Sequence, residues 1–195
     1  MCGIVGYVGA WNAAPVLLSG LSRLEYRGYD SAGIAVSDLR DGENRIEILK
    51  AKGRLQALKE MTDNGKAVSG TCGIGHTRWA THGEPSVANA HPHCSKDKRI
   101  VVVHNGIIEN YKELKEYLQK KGFVFQSETD TEVVAHLLDY YYKGNPLEAI
   151  ARALGRIRGS YALGILFKDQ PGKIYAVRKD SPLIIGRSEN GNFIA

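Results

Sequence analysis

The chain opens with Met1-Cys2-Gly3-Ile4-Val5-Gly6-Tyr7-Val8-Gly9, in which a cysteine precedes a short apolar run spaced by glycines. An apolar run of this length is typical of a buried strand. Such a strand would hold the beginning of the chain inside the fold, because chain termini fray unless they are tied down. The sequence therefore predicts that Cys2 lies at the start of an interior strand.

The position of Cys2 has a chemical consequence. If Met1 is removed, Cys2 carries a free α-amine beside its own thiol, and such an amine has a pKa of about 8. A sizeable fraction of it is a neutral base at neutral pH, so one residue can supply both a nucleophile and its base. A small cysteine at the start of a strand is also an ordinary packing residue. The rest of the chain has to decide between the two interpretations.

The composition is that of an ordinary globular protein, with 195 residues, 43% hydrophobic and 24% charged. No apolar run reaches the length of a membrane span and no signal peptide is visible, so we expect a cytoplasmic protein without membrane contact. The net charge is +5, but the basic residues alternate with acidic ones, as in Lys112-Glu113. This pattern favours a solvated face over nucleic-acid binding. The three cysteines lack paired spacing and indicate free thiols.

Periodicity and turn residues predict several strands and helices. The predicted strands, besides the first, are residues 29–36, 45–50, 71–79, 100–103, 123–125, 161–167, 174–177, 183–185 and 193 onward. The predicted helices run from an Asn12 cap to about residue 25, over 55–61 and 111–121, through 133–138, and from Pro146 to about 157. Since no regular βαβ alternation is present, we predict an α+β fold with packed sheets covered by helices.

Two pairs of residues suit chemistry at an amide. Asn105-Gly106, after a buried strand, offers two neutral donors, a side-chain amide and a backbone N–H, that could hold an oxyanion. Asn-Gly is also a common turn pair. Arg78 and Asp130 offer opposite charges suited to the carboxylate and ammonium groups of an amino acid. A structural ion pair, or a helix cap by Asp130, is the alternative.

Six segments of the chain resemble, in order, the glutaminase domains of glutamine–fructose-6-phosphate aminotransferases, which are class II glutamine amidotransferases. They are CGIVG (2–6), EYRGYDSAG (25–33), GHTRWATHG (75–83), NAHPH (89–93), VHNGIIEN (103–110) and SETDTE (127–132). The resemblance implies an N-terminal nucleophile hydrolase fold, a four-layer αββα sandwich. It also implies one glutaminase domain over residues 1–195, truncated at its C-terminus and without the sugar-isomerase domains of the family.

The resemblance implies a role for each matching residue. Cys2, exposed by loss of Met1, would attack the side-chain amide of glutamine, releasing ammonia and then glutamate. Asn105 and Gly106 would form the oxyanion hole, and Arg78 and Asp130 would hold the head group of glutamine. The ammonia would serve glucosamine 6-phosphate synthesis from fructose 6-phosphate.

The resemblance extends to supporting residues and to partners. Thr81 and His82 would line the pocket, and Trp79 would lie in a loop that closes over substrate and gates the passage of ammonia. Arg27 would support the surroundings of the nucleophile. The family implies isomerase domains in the same full-length polypeptide and a homodimer of that polypeptide, and neither a cofactor nor a metal is expected.

Three alternatives remain open at this point. One is a glutaminase domain of another amidotransferase with the same fold. Another is a metal-binding module built from His82, His91, His93 and Cys94, although zinc sites usually contain a second closely spaced pair of ligands. The third is a non-catalytic module that binds an amino acid in the same pocket.

Overall fold

The computed structural model describes residues 2–25, 29–79 and 83–195. Within these ranges the strands are β1 (Gly3–Gly9), β2 (Ser31–Arg40), β3 (Glu43–Lys52), β4 (Cys72–Arg78), β5 (His93–Cys94), β6 (Ile100–Ile108), β7 (Gly159–Phe167), β8 (Tyr175–Lys179), β9 (Ile185–Ser188) and β10 (Gly191–Ile194). The helices are α1 (Ala13–Leu24), α2 (Leu55–Met61), α3 (Tyr111–Gln119), α4 (Thr131–Tyr141) and α5 (Pro146–Leu154). None of the helices in this part of the chain is long and apolar enough to cross a membrane.

The strands form two antiparallel sheets. Sheet A has the order β3-β2-β4-β1-β10-β9, and sheet B has the order β5-β6-β7-β8. In sheet A, β1 lies between β4 and β10, with Gly3 opposite Thr77 and Gly6 opposite Ile194. The predicted interior position of the first strand is therefore confirmed.

Three apolar clusters define four layers. The first cluster lies between sheet A and the helices α1 and α2, and it includes Leu17, Leu21, Ile34, Val36 and Leu55. The second lies between the two sheets and includes Ile4, Ile74, Val101, Val103 and Leu166. The third lies between sheet B and the helices α3, α4 and α5, and it includes Val102, Leu114, Leu137, Ile150 and Ile165. This is the αββα sandwich of the α+β class, as predicted.

The glycines of β4 serve packing. A Cβ added at Gly73 would lie 2.9 Å from Leu17 Cδ1, and one at Gly75 would lie 3.1 Å from Leu21 Cδ1. Their missing side chains let α1 approach the middle of sheet A closely. The strand β4 is buried along its whole length and ends at Arg78.

The structure corrects some local predictions. Residues 123–125 form no strand, and Phe123 and Phe125 pack instead against the ring of His136, with ring centroids 5.3 and 4.7 Å away. Asn12 precedes α1 without capping it, because its side-chain amide donates to the carbonyl of Val68 at 2.8 Å. The helix that begins at Pro146 ends at Leu154, before the predicted residue 157.

Candidate active site

The register of sheet A places Cys2 beside the end of β4. Because Gly3 lies opposite Thr77, the chain before β1 runs next to the residues that follow Thr77. The backbone N–H of Trp79 donates to Cys2 Sγ at 3.2 Å, and the thiol donates to the Trp79 carbonyl at 3.6 Å. Antiparallel pairing thus brings together two segments that are far apart in the sequence.

Burial sets the protonation state of the Cys2 thiol. Removal from water raises the pKa of this thiol, and the Trp79 N–H and the Arg78 guanidinium only partly oppose that effect. The sulfur is therefore a neutral thiol at neutral pH. A nucleophilic reaction at this position needs a base that takes the proton as the sulfur attacks.

Asn105 and Gly106 lie inside β6, opposite Ala162 and Tyr161 of β7. The alternative of a hairpin turn is wrong, since the strand continues to Ile108. Gly106 has a φ of +127°, and a Cβ there would lie 2.1 Å from the carbonyl oxygen of Ser160. The backbone at this point therefore requires glycine.

The side chain of Asn105 is held from sheet A. His76 Nε2, on β4, lies 2.8 Å from Asn105 Oδ1. When Oδ1 faces His76, the Nδ2 group of the same amide faces the other way. Asn105 and Gly106 then present two neutral donors at one point on β6.

Asp130 lies at the N-terminus of α4, but its side chain makes no capping hydrogen bond. The backbone N–H of Ile108 donates to Asp130 Oδ2 at 2.8 Å, which ties this carboxylate to the end of β6. Next to it, His104 Nδ1 lies 2.9 Å from Thr131 Oγ1. Burial lowers the pKa of His104 although Asp130 acts in the opposite direction, so the imidazole is neutral at neutral pH.

Arg78 supplies the positive charge of the site. Its side chain is buried, with 4% of the residue exposed, and Nη2 donates to the carbonyl of Gly83 at 3.3 Å. The guanidinium of arginine carries a positive charge in proteins. The site therefore combines a fixed cation with the carboxylate of Asp130.

A cavity of about 510 Å³ joins these groups. It is lined by Cys2, Arg78, Trp79, His91, His104, Asn105, Gly106, Thr129, Asp130 and Thr131. Its volume lies in the range typical of small-molecule sites. A thiol, two neutral donors and two opposite charges around one cavity are what an amide of an amino acid would need for covalent attack.

Six of the residues that line this cavity were predicted from the sequence to act in catalysis or substrate binding: Cys2, Arg78, Trp79, Asn105, Gly106 and Asp130. A seventh, His91, was predicted only as one ligand of the alternative metal site. The other predicted site residues, Arg27, Thr81 and His82, lie outside the described residues. No role was predicted for His104, Thr129 or Thr131, although all three belong to the motifs quoted above, nor for His76, whose contact with Asn105 crosses from one sheet to the other.

The histidines proposed as metal ligands have other contacts. The His91 ring stacks on His76 with centroids 4.3 Å apart, and His93 Nε2 lies 3.0 Å from Thr129 Oγ1. Among residues 2–25, 29–79 and 83–195, no group of three or more His, Cys, Asp or Glu side chains is placed to hold a metal ion. His82, the remaining member of that hypothesis, lies outside these ranges.

This chain is similar in sequence and in structure to known proteins. The glutamine–fructose-6-phosphate aminotransferases (isomerizing) of Clostridium acetobutylicum and Caldanaerobacter subterraneus subsp. tengcongensis are 58% and 60% identical to it over all 195 residues. The chain spans 31% of each of these longer relatives. A solved structure of the glutamine phosphoribosylpyrophosphate amidotransferase from B. subtilis, with ADP and GMP, superposes with a TM-score of 0.83 at 26% identity. That match covers all of this chain and 41% of the other.

The family comparison concerns the part of the chain that contains most of the cavity. The model of the glutamine amidotransferase domain matches residues 76–195, which run from β4 to the end of β10. The four layers and the solved relative agree on the N-terminal nucleophile hydrolase fold that the family resemblance implied. This chain therefore belongs to the glutamine amidotransferase domain family.

Proposed function

We propose that this chain hydrolyses the side-chain amide of glutamine through a thioester on Cys2. The observation that carries the proposal is that Cys2, Asn105, Gly106, Arg78 and Asp130 line one cavity. A thiol that serves only for packing would not need neutral donors and two opposite charges around it. The family match and the names of the relatives support the same substrate.

The charges of the cavity suit the zwitterionic end of glutamine. The guanidinium of Arg78 would bind the α-carboxylate, for which its planar donors are well shaped. The carboxylate of Asp130 would bind the α-ammonium group, and its bond from Ile108 N–H fixes its position against β6. Because Asp130 is anchored to Ile108 while Cys2 and Gly106 line the same cavity, the side-chain amide of a bound glutamine would extend toward the thiol.

The reaction requires the α-amine of Cys2, which exists only after Met1 is removed. In the first step the amine takes the thiol proton while Sγ bonds to the amide carbon, and the carbonyl oxygen becomes an oxyanion between Asn105 Nδ2 and Gly106 N–H. The C–N bond then breaks, and the ammonium form of the amine gives its proton to the departing ammonia. Water adds to the thioester, the C–S bond breaks, and glutamate leaves with the thiol restored.

The longer relatives suggest what the ammonia is for. We propose that this chain is a single glutaminase domain and the ammonia-supplying part of a cytoplasmic glutamine–fructose-6-phosphate aminotransferase, which forms glucosamine 6-phosphate. Sugar-isomerase domains of the same polypeptide would be its partners, with the full-length protein as a homodimer. Trp79 would cover the substrate and gate the ammonia, and Thr81, His82 and Arg27 would complete the pocket as the family resemblance implies. Trp79 is 52% exposed at the rim of the cavity, which suits such a cover.

The test follows ammonia and glutamate after glutamine is added to protein whose intact mass shows that Met1 is gone. We expect stoichiometric release of both products, no turnover by Cys2→Ala, and none by protein that retains Met1. Cys94→Ala is the matched control, because Cys94 is a partly buried free thiol that does not line the cavity. Equal release by the Cys2→Ala protein, or none by the processed protein, would exclude this function. An amino-acid sensor would bind glutamine without turnover in both the processed wild-type protein and the Cys2→Ala protein.

A further inference from the structure

The carboxamide of Asn105 can be useful in only one of its two orientations. Its Nδ2 end is a donor and its Oδ1 end an acceptor, and a half turn of the group exchanges them. An oxyanion facing Oδ1 would meet a lone pair instead of a proton. Any group that fixes this orientation therefore determines whether Asn105 can act as one of the two donors on β6.

We propose that His76 is a positioning residue that fixes the carboxamide of Asn105 by donating from Nε2–H to Oδ1, so that Nδ2 faces the cavity. The two atoms are 2.8 Å apart, and His76 lies on the strand of sheet A that packs behind β6. His76 does not line the cavity itself, so it would act only through Asn105. The inference rests on the proposed glutaminase function.

The surroundings of His76 keep it a neutral donor. The residue is fully buried, and burial lowers the pKa of its imidazole to about 3. A neutral imidazole carries one N–H, so the proton on Nε2 makes this nitrogen a donor only. The opposite tautomer would place a lone pair of Nε2 against Oδ1, and the carboxamide would have to turn over. The tautomer of His76 and the orientation of Asn105 are thus two parts of one arrangement.

One face of the His76 ring is covered by another histidine. His91 stacks on it with centroids 4.3 Å apart and planes inclined by 24°. The backbone of His91 reaches this position because Gly33, which lies opposite His76 on β2, has no side chain. A Cβ at Gly33 would lie 2.2 Å from the His91 carbonyl oxygen. Both β2 and the segment before β5 therefore support the hydrogen bond to Asn105.

The kinetic test compares four proteins, each freed of Met1, in the glutamine hydrolysis assay. His76→Leu removes the donor, and His76→Gln keeps an N–H donor at a similar distance from the backbone. Asn105→Ala removes the group on which His76 acts, and the fourth protein combines Asn105→Ala with His76→Leu. Losing one oxyanion donor typically lowers kcat by about a hundredfold or more. We expect His76→Leu to lower kcat by about tenfold to a hundredfold with little change in KM, and His76→Gln to keep most of the activity.

The double variant separates positioning from a general effect on the fold. If His76 acts through Asn105, His76→Leu has no further effect on kcat once Asn105 is alanine. An unchanged kcat in His76→Leu, or an equal loss in both backgrounds, would overturn the inference. Inactive wild-type protein would instead refute the proposed function on which it rests.

A second measurement needs no variant. Nitrogen-15 NMR of the histidine rings in the wild-type protein reports which ring nitrogen carries the proton. We expect the proton of His76 on Nε2 across the pH range in which the enzyme works. A proton on Nδ1 would overturn the inference even if the variants failed to fold.

Discussion

A Gly106→Ala variant would place one methyl group where β6 passes the carbonyl of Ser160. The new Cβ would lie 2.1 Å from that oxygen, and ordinary contact requires about 3.5 Å. Strands β6 and β7 would therefore have to separate by about 1.4 Å. An alanine at a φ of +127° would also be strained, at a cost of about 1–3 kcal/mol.

This separation would displace the Gly106 N–H, which is a proposed oxyanion donor. A displacement of about 1 Å in a reacting geometry can lower the rate about a hundredfold. Removal of one such donor costs about as much, roughly 2.7 kcal/mol in the barrier. We therefore expect Gly106→Ala to lower kcat for glutamine hydrolysis by about a hundredfold. The strain of about 1–3 kcal/mol should also lower the Tm by roughly 2–12 °C for a domain of this size.

Gly122→Ala is the matched control. Gly122 follows α3 with a φ of +88°, and a Cβ there would have nothing within 4 Å. This variant should lose about 1–2 kcal/mol of stability from its backbone conformation and none of its kcat. The assay measures kcat and KM well below both melting transitions. A folded Gly106→Ala protein with the kcat of the wild type would refute the assignment of the Gly106 N–H to the oxyanion.

Two further predictions concern carboxylates. Asp130→Asn should raise KM for glutamine by roughly thirtyfold, because a charged hydrogen bond of about 2 kcal/mol to the α-ammonium is lost. Asp139→Asn is the control, because Asp139 pairs with Arg99 and does not line the cavity, and it should leave KM unchanged. A KM of Asp130→Asn equal to that of the wild type would refute the role of Asp130. Burial opposes ionisation of Glu132, but hydrogen bonds from His136, Ser127 and the backbone outweigh it and lower its pKa from 4.5 to about 2. The ionised Glu132 therefore stabilises the fold above pH 4.5, and we expect Tm to fall as the pH drops from 4.5 to about 2. Glu132→Gln should lower Tm at neutral pH and reduce that acid dependence, whereas parallel Tm curves would contradict this reasoning.

Local patterns correctly predicted the strands and helices that have a continuous apolar run or stripe. The apolar run after Cys2, the β-branched run from Ile100 and the stripe of α1 each became the predicted strand or helix. The prediction of a strand at residues 123–125 was wrong, because two phenylalanines at alternate positions also suit an extended segment that packs on His136 without strand pairing. Such a segment differs from a strand only in its partner, which a local pattern does not contain.

The candidate site was predicted less from patterns than from residue chemistry and family resemblance. Asn105-Gly106 reads locally as a turn, and only the pairing with β7 shows that it lies within a strand. His76 gave no local signal, because its partner is 29 positions away in another sheet. Contacts that cross between sheets are fixed by the layer packing, which the sequence specifies only through the whole core.

The central place of β1 in sheet A also determines when the sheet can be completed during synthesis. Its neighbour β10 leaves the ribosome roughly 10–40 s later, at about 5–20 residues per second. Until then one edge of β1 has no strand beside it, because Gly6 awaits Ile194. The strand that follows the nucleophile therefore completes its pairing in sheet A only after residues 191–194 have been synthesised.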